Sequence, residues 1–262
     1  MNPLICPVCQ KKLKNIDKRY ACVNKHTFDV AKEGYTNLLL KSSQSSGDSK
    51  EMVNARRVFL EKDYYHLLRK TLIKIVQTLQ PTVIVDAGCG EGYYTNTLAS
   101  TINGDFYAFD MSKQALRYAS KRGEGVHYFL SSIFHLPLQD NSTDIILNIF
   151  APIAIEEFIR ISKNNGYIIK VDPGKNHLKE LKECLYDSIY LNEEKVIEEL
   201  NLIDEHKIQY MMELKESDVR NLLFMTPYLH RTPKEKIENL KVPTKKKVKA
   251  EFLIRIYKVT KS

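Results

Sequence analysis

The sequence predicts an α/β fold, a mostly parallel sheet wrapped by helices, with a small metal-stapled module ahead of it. Three observations carry this expectation. Short apolar strands alternate with amphipathic helical stretches between residues 83 and 172. A glycine-rich turn follows the first of those strands, and three of the five cysteines crowd into the first 22 residues. Strictly alternating strand and helix is the pattern of a parallel sheet covered on both faces.

Residues 1–40 read as the compact module. The stretch 41–50 is polar and lacks an apolar period, so it reads as a loop or linker. From Glu51 to Leu79 apolar residues recur at helical spacing (Met52, Ala55 and Phe59, then Leu68, Leu72, Ile75 and Leu79). Two helices are expected there, broken near Asp63 and stopped by Pro81. The chain thus divides into a module at 1–40, a linker with helices at 41–80, and a main domain at 81–262.

In that domain Val83–Asp86, Asp105–Asp110, Val126–Leu130, Asp144–Phe150 and Tyr167–Asp172 read as strands. Helices are expected over Gly92–Ile102, Lys113–Lys121 and Ile155–Ser162. Near the end, Val248, Ala250, Phe252, Ile254 and Ile256 alternate with mostly polar neighbours, as in a final antiparallel edge strand. The lysines of Lys245–Lys249 read as a charged guard on that edge.

Composition narrows the class. The 262 residues are 43% apolar and 27% charged, and no apolar run approaches the ~20 residues that span a bilayer. Met1–Cys9 lacks the apolar core of a signal peptide, so the chain reads as cytoplasmic, without a membrane partner. The net charge of +8 is unevenly placed. Residues 1–80 hold 15 Lys and Arg against 7 Asp and Glu, and the remainder balances at 25 each. A basic end suits a polyanion, because cations near phosphates displace condensed counterions.

Cys6-Pro-Val-Cys9, twelve residues, then Cys22 and His26 give C-x2-C-x12-C-x3-H. Zinc takes four tetrahedral nitrogen or sulfur ligands, and a two-residue gap lets a tight turn aim two thiolates at one ion. Four protein ligands leave no open position, so the site is structural. Metal binding supplies the folding free energy that a ~40-residue segment lacks.

Val83-Ile-Val-Asp86-Ala-Gly88-Cys-Gly90-Glu91-Gly92 places an acid and then glycines two apart at a strand-to-helix turn. This is not the G-x-G-x-x-G of dinucleotide sites, which cradles a pyrophosphate. It suits S-adenosylmethionine, whose ammonium and sulfonium favour acids such as Asp86 and Glu91. Asp110, closing the second strand, is placed to accept both ribose hydroxyls.

Through these motifs the sequence resembles the RlmA-type 23S rRNA (guanine-N1)-methyltransferases over nearly its whole length. The matching stretches are Cys6–Cys9, Cys22–Leu38, Gly47–Met52, Ala55–Leu60 and Asp86–Thr95. Ser131-Ser132 before Leu136-Pro137, then Ile149–Pro152, Pro173–Leu178 and Met225–Pro227 complete the set. The resemblance implies a class I (Rossmann-like) methyltransferase with a mostly parallel seven-stranded sheet and an N-terminal zinc ribbon. It implies methylation of a guanine N1 in a hairpin of 23S ribosomal RNA near the peptide exit tunnel, a homodimer, and a link to antibiotic response. Cys6, Cys9, Cys22 and His26 fall on the family's zinc ligands. Tyr65, Glu91-Gly92-Tyr93 and His177 fall on its cofactor contacts, and Ser132 with Ile133 stands where the adenine is held. The family's Ile-Tyr-Ala-Pro is Ile149-Phe150-Ala151-Pro152 here, without the hydroxyl.

Taken alone, Tyr65 reads as a core aromatic, His177 as a cap or surface residue, and Phe150 as core or a platform for the target base. Of Arg56 and Arg57, on different helix faces, one is expected to pair with acids and one to face phosphate or cofactor. Asp172 is a candidate base or a structural acid. Two rival readings are a methyltransferase for small molecules or transfer RNA, and an RNA-binding protein with a spent cofactor site.

Overall fold

The computed structural model describes residues 2–40, 48–186, 188–228, 232, 235 and 245–261. The chain opens with β1 (Lys14–Asn15), β2 (Arg19–Ala21) and β3 (Thr27–Asp29), a small antiparallel sheet. β4 (Tyr35–Asn37) follows at once. Most of the expected loop, residues 41–47, lies outside the described residues. Ser49 then caps α1 (Lys50–Glu61), its Oγ accepting the Met52 N–H at 3.2 Å. The expected break falls at Asp63, whose φ is 63°, and α2 (His66–Leu79) runs on to the stop before Pro81.

Strands and helices alternate from there as predicted: β5 (Val83–Ala87), α3 (Tyr93–Ala99), β6 (Asp105–Asp110), α4 (Lys113–Ala119), β7 (Val126–Leu130), β8 (Thr143–Ile149), α5 (Ile155–Ile161) and β9 (Ser162–Pro173). α6 (Lys179–Leu185), β10 (Asn201–Lys215), α7 (Glu216–Phe224) and β11 (Lys245–Lys258) complete the domain. The large sheet has the order β10-β11-β9-β8-β5-β6-β7-β4. Its pairings from β9 to β4 are all parallel, and β11 runs against its two neighbours. The expected seven strands are present, and the eighth, β4, is lent by the N-terminal segment. The strand order turns back between β5 and β8, which opens a crevice at their carboxyl ends.

One expectation is corrected. β11 is not an edge strand; it lies between β9 and β10. Residues 250–257 are buried on both faces, and even Arg255 is covered, its Nε bonded to Glu205 of β10 at 2.6 Å. The edge belongs to β10, which exposes Glu205, Lys207, Gln209 and Glu213, a charged row that discourages further pairing. Lys245 pairs across the hairpin with Glu213 at 3.3 Å.

The first module shares its core with the main domain. Leu4, Leu13, Tyr20 and Leu38 are buried in one cluster with Phe129, Leu136 and Leu138. The Ile5 N–H donates to the Pro137 carbonyl and the Gln139 N–H to the Pro3 carbonyl, both at 2.9 Å. Tyr20 meets Phe129 edge-on at 5.4 Å, and its hydroxyl lies 3.1 Å from His127 Nδ1. Among the described residues, no helix is long and apolar enough to cross a membrane.

Candidate metal centre and cofactor crevice

The turn at Cys6–Cys9 and the turn at Cys22–His26 face one another. Their four ligand atoms all lie within 4.8 Å of each other, with both Cys6 Sγ and Cys22 Sγ 3.5 Å from His26 Nδ1. The Lys11 N–H bonds the Cys9 sulfur and pulls its pKa down to about 6, toward the thiolate a metal requires. Three thiols and one imidazole in such a cluster fit tetrahedral zinc. Around them Lys11, Lys12, Lys14, Lys18, Arg19 and Lys25 are exposed.

The crevice above β5 and β8 gathers most of the other predicted residues. Asp86 ends deep in the sheet, where burial pushes its carboxyl up to about 7. Its Oδ2 accepts from Thr95 Oγ1 at 2.5 Å, and its Oδ1 is buried with no partner among the described residues. An orphaned carboxylate oxygen is a site waiting for a donor. Asp110 accepts the Gly90 N–H at 2.8 Å and the Ser112 N–H at 2.7 Å, so it braces the loop while lone pairs remain for hydroxyls.

The glycines divide their duties. A Cβ on Gly88, whose φ is 95°, would stand 2.6 Å from Ala151 Cβ, so backbone conformation and the Phe150-Ala151 turn already require glycine here. A Cβ on Gly90 would meet only Arg56 Nη1, at 3.7 Å, and would fill the open cradle above the loop. The orphaned Asp86 oxygen and this cradle fit S-adenosylmethionine.

Two predicted contacts have protein partners as well: Glu91 through Oε2, its buried Oε1 having none among the described residues, and Tyr93 through its hydroxyl. The buried Glu91 carboxylate pairs with Arg122, whose Nε also donates to the Glu91 carbonyl at 2.8 Å. Tyr93 donates its hydroxyl to Asp63 at 2.9 Å and lies under the Arg69 guanidinium. These side chains brace the turn at Gly92. Beyond β7, the Ser131 N–H bonds the Asp110 carbonyl at 3.1 Å; Ser132 Oγ accepts from the Phe134 N–H at 3.2 Å, and Ile133 is buried.

Tyr65 and His177, 112 residues apart, come together with their Oη and Nε2 at 3.4 Å. Burial drops the His177 pKa to about 3, so the ring is neutral. Both pack on Phe252, at 4.7 and 4.9 Å. Phe150 stands beside them, 42% exposed and in the left-handed region at φ 54°, a conformation a bulky residue rarely holds. It is therefore not core. Asp172 is tied to Lys170 at 2.8 Å, which fits a structural acid.

Sequence reasoning missed the cover of the crevice. Arg56 lies over Gly90, paired with Asp48, and Ser112 Oγ reaches the Asp48 carbonyl at 3.5 Å. Arg57 instead pairs with Glu61 at 3.4 Å and lies over Tyr118. Of the two arginines in the middle of α1, the expected division is partly met: both pair with acids, and Arg56 also faces the cofactor turn; Asp48 as its partner is what the sequence did not reveal.

A family model described as RlmA, N-terminal, a zinc ribbon, matches residues 4–45, and a methyltransferase-domain model matches residues 80–216. The chain is 33% identical over 188 residues to the 23S rRNA (guanine(748)-N(1))-methyltransferase of Streptomyces fradiae, covering 70% of this chain and 67% of that one. It is 30% identical over 259 residues to YxjB of Bacillus subtilis (strain 168), a protein named for 23S rRNA guanine-N1 methylation, with 90% of each chain covered. Among solved structures, the YcgJ protein from Bacillus subtilis has the same fold, with a TM-score of 0.52 at 16% identity, covering 75% of this chain and 100% of that one.

Proposed function

Because the chain belongs to the 23S rRNA (guanine-N1)-methyltransferase family, we propose that it methylates N1 of a guanine in a hairpin of 23S ribosomal RNA near the peptide exit tunnel. The observation that carries this reading is the docking of a basic zinc ribbon onto the sheet that holds the cofactor crevice. A small-molecule substrate needs no such arm.

Residues 1–40 serve as the RNA-binding ribbon, 41–80 as linker and covering helices, and 81–262 as the transfer domain. Cys6, Cys9, Cys22 and His26 hold structural zinc. When bound, S-adenosylmethionine supplies a methyl group on a sulfonium. Asp86 takes its ammonium through the free Oδ1, Asp110 takes the ribose hydroxyls, and Ser132 and Ile133 flank the adenine. Gly88, Gly90 and Gly92 shape the turn, which Glu91 and Tyr93 hold in place. Tyr65 and His177 close the other end. The chain's task is alignment and exclusion of water, since methyl transfer is an in-line displacement. Phe150, exposed at the crevice mouth, offers a face on which the extruded guanine stacks. The enzyme works in the cytoplasm, as a homodimer.

The test is primer extension on ribosomal RNA from a deletion strain, because an N1-methyl blocks the pairing edge of guanine and halts the polymerase. A stop at one 23S guanine should vanish on deletion and return with the wild-type chain but not with Gly90→Val. Unchanged stops in the deletion strain would refute the target.

A further inference from the structure

Each of the two turns that face one another at the metal centre carries one exposed valine and one exposed lysine. In the first, the Cys6 N–H donates to the Lys11 carbonyl and the Gln10 N–H to the Cys6 carbonyl, both at 2.8 Å, and Val8 is left 51% exposed. In the second, the Lys25 N–H donates to the Cys22 carbonyl at 3.0 Å and the Cys22 N–H to the His26 carbonyl at 3.1 Å, and Val23 is 76% exposed. Exposed apolar residues scattered singly are ordinary. These two are paired: Val8 precedes Cys9, Val23 follows Cys22, and the two sulfurs lie 3.6 Å apart. Lys11 and Lys25 belong to the same turns and are exposed as well.

Both turns are closed by their own backbone bonds, so they lose little freedom when something covers them. A partner for an apolar pair flanked by cations must offer an apolar face with negative charge beside it. An unpaired nucleobase does so, because its flat face is bare and its own phosphate lies close by. A duplex does not, since its bases are stacked inside and its phosphates face out. We propose that Val8 and Val23 form a seat for an unpaired base of the RNA loop, with Lys11 and Lys25 on the flanking phosphates. The Ile5 N–H holds the first turn to the Pro137 carbonyl at 2.9 Å, in the segment that carries Ser132, so the seat is fixed relative to the crevice. This inference rests on reading residues 1–40 as the RNA-binding ribbon, and it adds what the ribbon recognises: loop and not helix.

NMR on the full-length, zinc-loaded protein with labelled valine methyls tests it. The two probes are a stem-loop RNA whose unpaired loop is all adenosine, and a blunt RNA duplex with the same number of nucleotides. The Val8 and Val23 methyl resonances should move upfield with the stem-loop, because a base shields what lies over its face, and stay in place with the duplex. Val23→Ser, with its zinc retained, should weaken the stem-loop about fivefold, the return from covering one exposed valine. Its salt slope should not change, whereas Lys25→Gln should lower that slope by roughly one unit and weaken both RNAs. Methyl resonances that stay in place at saturating stem-loop overturn the proposal and leave the ribbon's RNA role standing; failure to bind either RNA overturns both. Equal shifts with the duplex overturn it too, because the valines would then touch a groove or the backbone. So do resonances that move on dilution of the protein alone, which would give the surface to a second copy of the chain.

Discussion

Tyr20→Ala tests whether the ribbon and the transfer domain are one cooperative body. Tyr20 is 4% exposed, packs edge-on against Phe129 and places its hydroxyl at His127. Truncating a buried aromatic to alanine costs about 3–5 kcal/mol, the lost transfer energy plus the cavity left behind. For a chain of this size each kcal/mol lowers the melting temperature by roughly 2–4 °C. Scanning calorimetry of the zinc-saturated protein should therefore show one transition, moved down by roughly 10 °C. Tyr20→Phe, which removes only the hydroxyl, should cost about 1 kcal/mol. A separate early transition for the ribbon in Tyr20→Ala, with the main transition left in place, would show that the two do not share one core.

Three other outcomes are expected. The Asp86 carboxyl is pushed up to about 7, above its unfolded value, so its own contribution to the stability of the unliganded protein should grow as pH falls from 7 toward about 4; because the buried neutral His177 contributes in the opposite sense there, the difference between wild type and Asp86→Asn is the quantity to follow. S-adenosylmethionine, whose ammonium needs the anion, should bind roughly fivefold more weakly at pH 6 than at pH 7.5, and Asp86→Asn should flatten that dependence in calorimetry. Asp110→Ala should weaken the cofactor by about 1.5–3 kcal/mol and Gly90→Val should abolish its binding; unchanged affinity in both would place the cofactor elsewhere. Freshly purified protein should carry one zinc per chain by metal analysis, lost in Cys6→Ser, while reversing the charge of Lys11, Lys12 and Lys14 should keep the zinc and flatten the salt dependence of RNA binding.

The sheet's centre was legible because Val83–Ala87, Thr143–Ile149 and their neighbours are apolar runs bounded by acids and turn residues. The metal cluster was legible because its spacing is local chemistry. β4 was not, since three residues carry no period and its partner is β7, far along the chain. β10 did leave a signal in Ile208, Tyr210, Met212 and Leu214, one apolar residue in every two. Overlooking it put β11 at the edge. In the crevice, Asp86, Gly90 and Asp110 could be read from the turn they share. The engagement of Glu91 by Arg122 and of Tyr93 by Asp63 could not, because which partner captures a charge or hydroxyl is decided by tertiary packing. The close approach of Ala151, 63 residues on, to Gly88 was equally out of reach of the sequence.

The order of strands also sets a timetable for the chain as it is made. The ribbon is translated first, yet β4 pairs Tyr35 with Tyr128, so it waits roughly 90 residues for its partner. At about 5–20 residues per second that is roughly 5–20 s during which Leu4, Leu13 and Tyr20 have no surface to cover them. The four zinc ligands, Cys6, Cys9, Cys22 and His26, lie wholly within the segment made first, so the metal staple can form without waiting for β7. The other flank is delayed as well. β11 is translated after every other strand of the sheet but belongs in its interior, so β10 cannot join until it emerges. The sheet is therefore completed only when β11 is made, well after β4 can find β7.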